Sequence, residues 1–229
     1  ATSKRRLISP SPTFGHNSWD KKTKYEKAAA TREVLRNYFL VLGNTGVRHG
    51  TEALGLRCRN VEWQESSGER YLVLNVDGKT RKRSAVARDT VETYMDRQSK
   101  LNPKLSYDSF DELVAAKSDE FVFTTRFGEV ATIHNLNAHF NALLDELGLK
   151  TGADGKTRTL YSLRHYYATR DLKRGVSTHA LSKQMGNSTA MLDKHYRSIH
   201  VPFRSASVSR FSGKASVSVS NRPIWEAVA

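Results

Sequence analysis

Apolar side chains recur three and four positions apart between Tyr25 and Leu42, at Tyr25, Ala28, Ala29, Val34, Leu35, Tyr38, Phe39, Val41 and Leu42. That spacing predicts a helix with one face in a core, and Gly43-Asn44 reads as its stop. A second short helix is predicted over Thr51–Leu56. The period then falls to two: Tyr71–Val76 followed by Asp77-Gly78 reads as a strand entering a turn, with Ser84–Ala87 returning beside it. Helical spacing resumes over Asp89–Leu101, a short strand is predicted at Glu120–Phe123, and Ile133–Leu147 forms an amphipathic helix closed by Gly148. After a Gly-containing loop at Thr151–Thr157, three more helices fit Leu160–Lys173, Thr178–Met185 and Ser188–Tyr196, with Gly175 and Gly186-Asn187 as breaks.

Outside this patterned stretch the chain changes character. Residues 1–23 hold two of the five prolines and no periodicity, which predicts an N-terminal arm or interdomain linker; residues 24–200 form the patterned domain, and 201–229 a Ser-rich tail. No apolar run reaches ten residues, so no membrane-spanning helix is predicted. The 229 residues, 38% hydrophobic and 26% charged, suit one folded domain with tails.

Charge narrows the partner. Thirty-seven Lys and Arg against 23 Asp and Glu leave a formal net charge of +14, which attracts polyanions and makes nucleic acid the expected ligand. The single cysteine, Cys58, excludes a disulfide framework and a Cys-rich zinc site, and suits a reducing cytoplasm. No Asp/Glu cluster has metal-ligand spacing, so neither a metal nor another cofactor is expected.

Several cationic positions stand at structural boundaries, where they can meet a ligand. Arg48 lies in a Gly-bracketed turn, Thr45-Gly46-Val47-Arg48-His49-Gly50, with Glu52 near enough to hold its guanidinium. Lys79 follows the first strand in the basic run Gly78-Lys79-Thr80-Arg81-Lys82-Arg83. Arg164 opens a helix in Tyr161-Ser162-Leu163-Arg164-His165 among apolar positions, where an arginine needs an anion or a carboxylate as partner. Tyr196 ends the last helix beside Lys194 and His195, after the Gly186-Asn187 break, and reads as exposed. Taken singly, each admits a plain structural reading: a salt-bridged cap, a basic hairpin on phosphates, a buried pair, an ordinary helix tyrosine.

Their order does not. An arginine in a TGxR turn, a hairpin lysine, Ser-Leu-Arg-His on a helix, then a Gly-Asn break and a tyrosine 32 residues after the second arginine resemble the catalytic domain of the tyrosine recombinases, the phage integrase family, over about Lys24–Ile199. The resemblance implies a mainly helical α+β fold with a small antiparallel sheet carrying the lysine hairpin. It implies cleavage and rejoining of DNA through a covalent 3′-phosphotyrosine, with Arg48 and Arg164 as phosphate clamps, Lys79 as general acid and Tyr196 as nucleophile. Tyr161 stands where the family usually has the histidine of His-x-x-Arg, and Asn187 where it has His or Trp. An Asn amide can donate a hydrogen bond to phosphate but cannot act as acid or base. Arg81, Lys82, Arg83 and His165 are the expected DNA contacts, with His165 packing structurally on its helix.

The implied partner is double-stranded DNA bearing specific recombination sites, bound by a homotetramer that is monomeric when free, in the bacterial cytoplasm or nucleoid. The tail 201–229 is long enough to pass between protomers, and the arm is too short to be the family's separate DNA-clamping domain. A type IB topoisomerase-like strand transferase is the nearest alternative; a non-catalytic basic DNA-binding protein and an RNA-binding protein are the others. An RNA binder should display aromatics along a strand, whereas Tyr166 and Tyr167 fall on a helix.

Overall fold

The computed structural model describes residues 17–78 and 82–196. Its helices are α1 (Asn17–Thr45), α2 (Thr51–Leu54), α3 (Thr90–Ser99), α4 (Phe110–Ala116), α5 (Ile133–Glu146), α6 (Ser162–Lys173) and α7 (Thr178–Met185), followed by a helix over 189–196. Three strands, β1 (Val61–Ser66), β2 (Glu69–Asp77) and β3 (Lys82–Val86), form one antiparallel sheet in the order β1-β2-β3. The expected α+β class with a small antiparallel sheet is what the structure holds.

Two compact units divide the chain, Ala1–Tyr167 and Ala168–Ala229. In the first, α1 supplies the spine of the core: Ala30, Val34, Leu35, Tyr38, Val41 and Leu42 are buried at helical spacing, and α1 packs against α3 and α5. β2 adds Leu72, Leu74 and Val76 from one face, and α4 closes over β1. Each of these aliphatic side chains contributes about 1.5–3 kcal/mol through burial. In the second unit Leu172, Leu181, Met185, Leu192 and Tyr196 are buried. Ser109, Thr132 and Ser177 cap α4, α5 and α7 through their side-chain oxygens.

Four expectations change. The first helix opens at Asn17, within the stretch read as arm, and does not stop at Gly43-Asn44. Asn44 Nδ2 donates to the Leu40 carbonyl and Thr45 Oγ1 to the Val41 carbonyl, so both polar side chains bond back onto the helix and it continues to Gly46, where φ of +66° ends it. Strand β1 escapes the period-two search because its residues after Val61 are half-buried or exposed; the two-residue Ser67-Gly68 turn, both at positive φ, joins it to β2. Helix α4 is likewise additional to the reading. Conversely, Glu120–Phe123 makes only an isolated bridge, Phe121 with Arg57, because its partner segment turns away into the short 3-10 helix at Cys58–Asn60.

Candidate active site

The first site element is the turn after α1. Gly46 at φ +66° and Gly50 at φ +91° bracket Val47, Arg48 and His49, and both angles favour glycine. A Cβ at Gly46 would also lie 2.6 Å from Tyr167 Cδ1. Two contacts brace the turn from within: Thr45 Oγ1 accepts Val47 N–H at 3.3 Å, and Glu52 Oε2 accepts Arg48 N–H at 2.9 Å. Glu52, at the start of α2, is almost wholly buried.

Glu52 was expected to hold the Arg48 guanidinium. It does so loosely, at 3.8 Å, and its close partner is Arg83, whose Nη2 lies 2.7 Å from Oε2. Arg83 is therefore not on the exposed basic hairpin face to which the sequence reading assigned it; its side chain is only 8% exposed. Strand alternation is the physical reason and was a legible signal. Arg83 and Ala85 share one face of β3, and Ala85 is completely buried. Lys82, pointing the other way, is exposed and stands 3.7 Å from Asp77.

Arg164 arrives from α6. Leu160, Leu163, Arg164 and Tyr167 are all buried at three- and four-residue spacing, so the arginine lies in the core-facing stripe of the helix. Its Nη1 donates to the Gly46 carbonyl, which ties α6 to the Arg48 turn. Burial, then the neighbouring Arg83 and Arg48 charges, pull the Arg164 guanidinium down to about 10, against an opposing effect of Glu52. It remains a cation at neutral pH. Burial also lowers the proton affinity of Arg83, partly offset by Glu52 and reinforced by the Arg48 charge. Arg48 and Arg83 thus pair with the Glu52 carboxylate, and Arg164 lies within the electrostatic reach of all three, so three guanidiniums are gathered at a largely buried place. Such a cluster is suited to a dianionic or developing-dianionic oxygen set.

Tyr161 and His165 lie one turn apart on the exposed side of α6, with ring centroids 5.4 Å apart and an interplanar angle of 73°. The two exposed rings thus meet edge to face. In the second unit Asn187 follows Gly186, the left-handed end of α7, and its backbone N–H bonds the Ser182 carbonyl. Tyr196 does not stand exposed: it is 6% accessible, four residues after buried Leu192 on the same helix face. Lys79 and Arg81 lie outside the described residues, as do the first 16 residues and the tail 201–229.

Among the described residues no helix is long and apolar enough to cross a membrane, and no group of three or more His, Cys, Asp or Glu side chains is placed to hold a metal ion.

Comparison with known proteins now adds to this geometry. The sequence matches no curated protein. Similar folds occur in XerA recombinase, 19% identical over 92% of this chain and 68% of that one with a TM-score of 0.52, and in XerH site-specific recombinase bound to difH substrate, 16% identical over 93% and 58% with a TM-score of 0.54. The Tn1549 transposon integrase in complex with transposon right end DNA is 15% identical over 90% of this chain and 67% of that one, with a TM-score of 0.55. The chain thus spans between about half and two thirds of the length of these neighbours. The model of the phage integrase family matches residues 20–201, which include the Arg48 turn, the Lys79 hairpin, Arg164 and Tyr196. The chain belongs to the phage integrase family.

Proposed function

We propose that this chain cleaves and rejoins double-stranded DNA at specific recombination sites through a 3′-phosphotyrosine. The observation that carries the reading is the convergence of Arg48, Arg83 and Arg164 near Glu52, with Arg164 bonded to the Gly46 carbonyl of the Arg48 turn. Attack by the Tyr196 oxygen on the scissile phosphorus forms the P–O(Tyr) bond and breaks the P–O5′ bond. Charge grows on the non-bridging oxygens, and the forked guanidiniums of Arg48 and Arg164 meet it where lysines would offer only point charges. Arg83 and Glu52 fix the orientation of that pair. Lys79 supplies a proton to the leaving 5′ oxygen, and the tyrosine loses its own proton as it attacks. Asn187 donates a hydrogen bond to phosphate, and Tyr161 with His165 offers an exposed aromatic surface at the mouth of α6.

Ligation reverses these steps with a different 5′ hydroxyl, so no nucleotide is consumed. Because Tyr196 is buried in the free chain, its helix must shift when DNA binds. The net charge of +14 and the exposed Lys82 support DNA as the partner. The assembly proposed is a homotetramer on DNA formed from free monomers, the tail 201–229 passing between protomers, in the cytoplasm or nucleoid. The domain division proposed is an N-terminal arm or linker, a catalytic domain to residue 200, and the tail.

Nicked duplexes captured covalently by the wild-type chain from a random-sequence pool provide the assay. Tyr196→Phe should abolish capture while DNA affinity stays within about threefold, since only the nucleophilic oxygen is lost. Undiminished adduct in that variant removes the assignment. A topoisomerase-like enzyme would instead relax supercoiled plasmid as a monomer, and a non-catalytic binder would yield no adduct from any duplex.

A further inference from the structure

The turn that carries Arg48 is held from below by a side chain with no part in the chemistry above. Tyr38 belongs to α1 and is completely buried. Its hydroxyl oxygen accepts Gly50 N–H at 3.1 Å and lies 2.8 Å from His49 Nδ1. The Tyr38 and His49 rings meet edge to face with centroids 5.7 Å apart, and Phe123 meets Tyr38 in the same way at 4.8 Å. The ring is locked, so the position of its hydroxyl is fixed by the core.

Proton bookkeeping assigns the imidazole. The Tyr38 oxygen already receives one N–H in a site closed to solvent, and its own proton needs an acceptor; His49 Nδ1 is that acceptor. His49 must then be neutral, with its proton on Nε2. Burial lowers the proton affinity of His49, with the Asn137 side chain as the smaller opposing influence, which agrees with a neutral ring. The groups about it are Tyr38 from α1, Asn137 from α5, the Arg48 cation beside it in the turn, and Glu52 of α2, which holds the Arg48 N–H.

We propose that Tyr38 and His49 are positioning residues for Arg48, and that strand cleavage by this chain requires the neutral, Tyr38-bonded form of His49. The proposal rests on the reading of Arg48 as a phosphate clamp. Between the left-handed Gly46 and Gly50 the turn has few internal restraints, so the hydroxyl of Tyr38, gripping His49 and Gly50 on the far side of Arg48, completes what Glu52 and Thr45 begin. Protonating His49 puts an N–H at Nδ1 against the tyrosine O–H. The hydroxyl must then turn its proton away from His49 and leave it without that acceptor in a buried site, the bond to His49 reverses direction, and a second cation stands beside Arg48. The bracing of the turn is weakened.

Single-turnover capture of the selected nicked duplex, measured with the full chain from pH 5 to 8.5 alongside its DNA affinity, tests this. Tyr38→Phe should lose on the order of 10²-fold in capture rate, the scale of a misplaced catalytic group, with affinity within about threefold of wild type. Because burial holds His49 below the ordinary histidine range, wild type should lose rate only towards the acid end of this range, whereas His49→Asn should keep its rate there. Its amide oxygen accepts the Tyr38 proton yet does not titrate. Wild-type capture by Tyr38→Phe, or the same acid loss in His49→Asn, overturns the proposal; if Tyr38→Phe does not fold, the His49→Asn profile decides. Arg48→Ala separates the two levels: wild-type capture by it removes the clamp reading, while its failure beside an unimpaired Tyr38→Phe removes only the positioning role.

Discussion

Arg83 and Glu52, one from β3 and the other from the first turn of α2, form an ion pair at 2.7 Å in which both side chains are withdrawn from solvent. The same Glu52 oxygen accepts the Arg48 backbone N–H. One carboxylate therefore balances part of the charge of three arginines and fixes the conformation of the turn that presents one of them. Removing it breaks a buried ion pair from one side and leaves the Arg83 cation without its Glu52 carboxylate.

Glu52→Gln should accordingly destabilise the chain by about 3 kcal/mol, the cost of breaking a buried pair from one side. Urea unfolding of both proteins measures it. A change below about 0.5 kcal/mol would show that solvent reaches this pair and that Arg83 needs no partner.

Gly46 carries two demands at once, a left-handed backbone at φ +66° and a carbonyl offered to Arg164. Gly46→Ala adds a Cβ to a site where the Tyr167 ring stands at 2.6 Å. The substitution should cost about 1–3 kcal/mol through backbone strain and ring displacement. Because the Arg164 contact shifts with it, covalent capture should fall by more than the loss of folded protein accounts for. Thermal melting together with capture rate per folded molecule checks both parts.

The helices other than α4 were legible because their signals are local: three- and four-residue spacing and glycine at the left-handed ends such as Gly148 and Gly186. Arg48 and Arg164 were legible as motifs, and their convergence follows from the hydrogen bond between Arg164 and the Gly46 carbonyl, a contact 118 residues apart that no local pattern contains. Arg83 was misread because basic runs suggest solvated faces; the alternation with Ala85 held the correct answer. Tyr196 was taken as exposed from its charged neighbours Lys194 and His195, yet its helix partner four residues back is Leu192, and burial follows the stripe rather than the adjacent residues. Asn44 and Thr45 misled in the opposite sense, since polar residues that end helices elsewhere here bond back to the carbonyls of Leu40 and Val41.

Arg164 and Arg48 should differ in cost. Arg164 is 2% exposed and bonded to Gly46, while the Arg48 side chain is 32% exposed. Arg164→Ala deletes a desolvated cation and, with the proposed phosphate clamp, should slow single-turnover cleavage by about 10²-fold or more, on the order expected for a lost transition-state donor. Arg48→Lys keeps the charge and loses only the fork, and should cost less. The reverse ranking would mean that the more accessible arginine bears the larger share of the developing charge.

Lys79 has its own chemical test, which separates acid catalysis from phosphate contact. If Lys79 donates the proton to the leaving 5′ oxygen, a duplex carrying sulfur at that bridging position should restore much of the cleavage lost in Lys79→Ala, because a thiolate leaves without a proton. A cation that merely touches phosphate predicts no rescue. Lys82→Ala is the control: Lys82 is exposed on the neighbouring strand, and its loss should weaken DNA binding about equally across sequences and lower the salt slope by about one, without favouring the sulfur substrate. Equal slowing of Lys79→Ala on oxygen and sulfur duplexes would remove the general-acid role and leave Lys79 as one more cation of the basic hairpin.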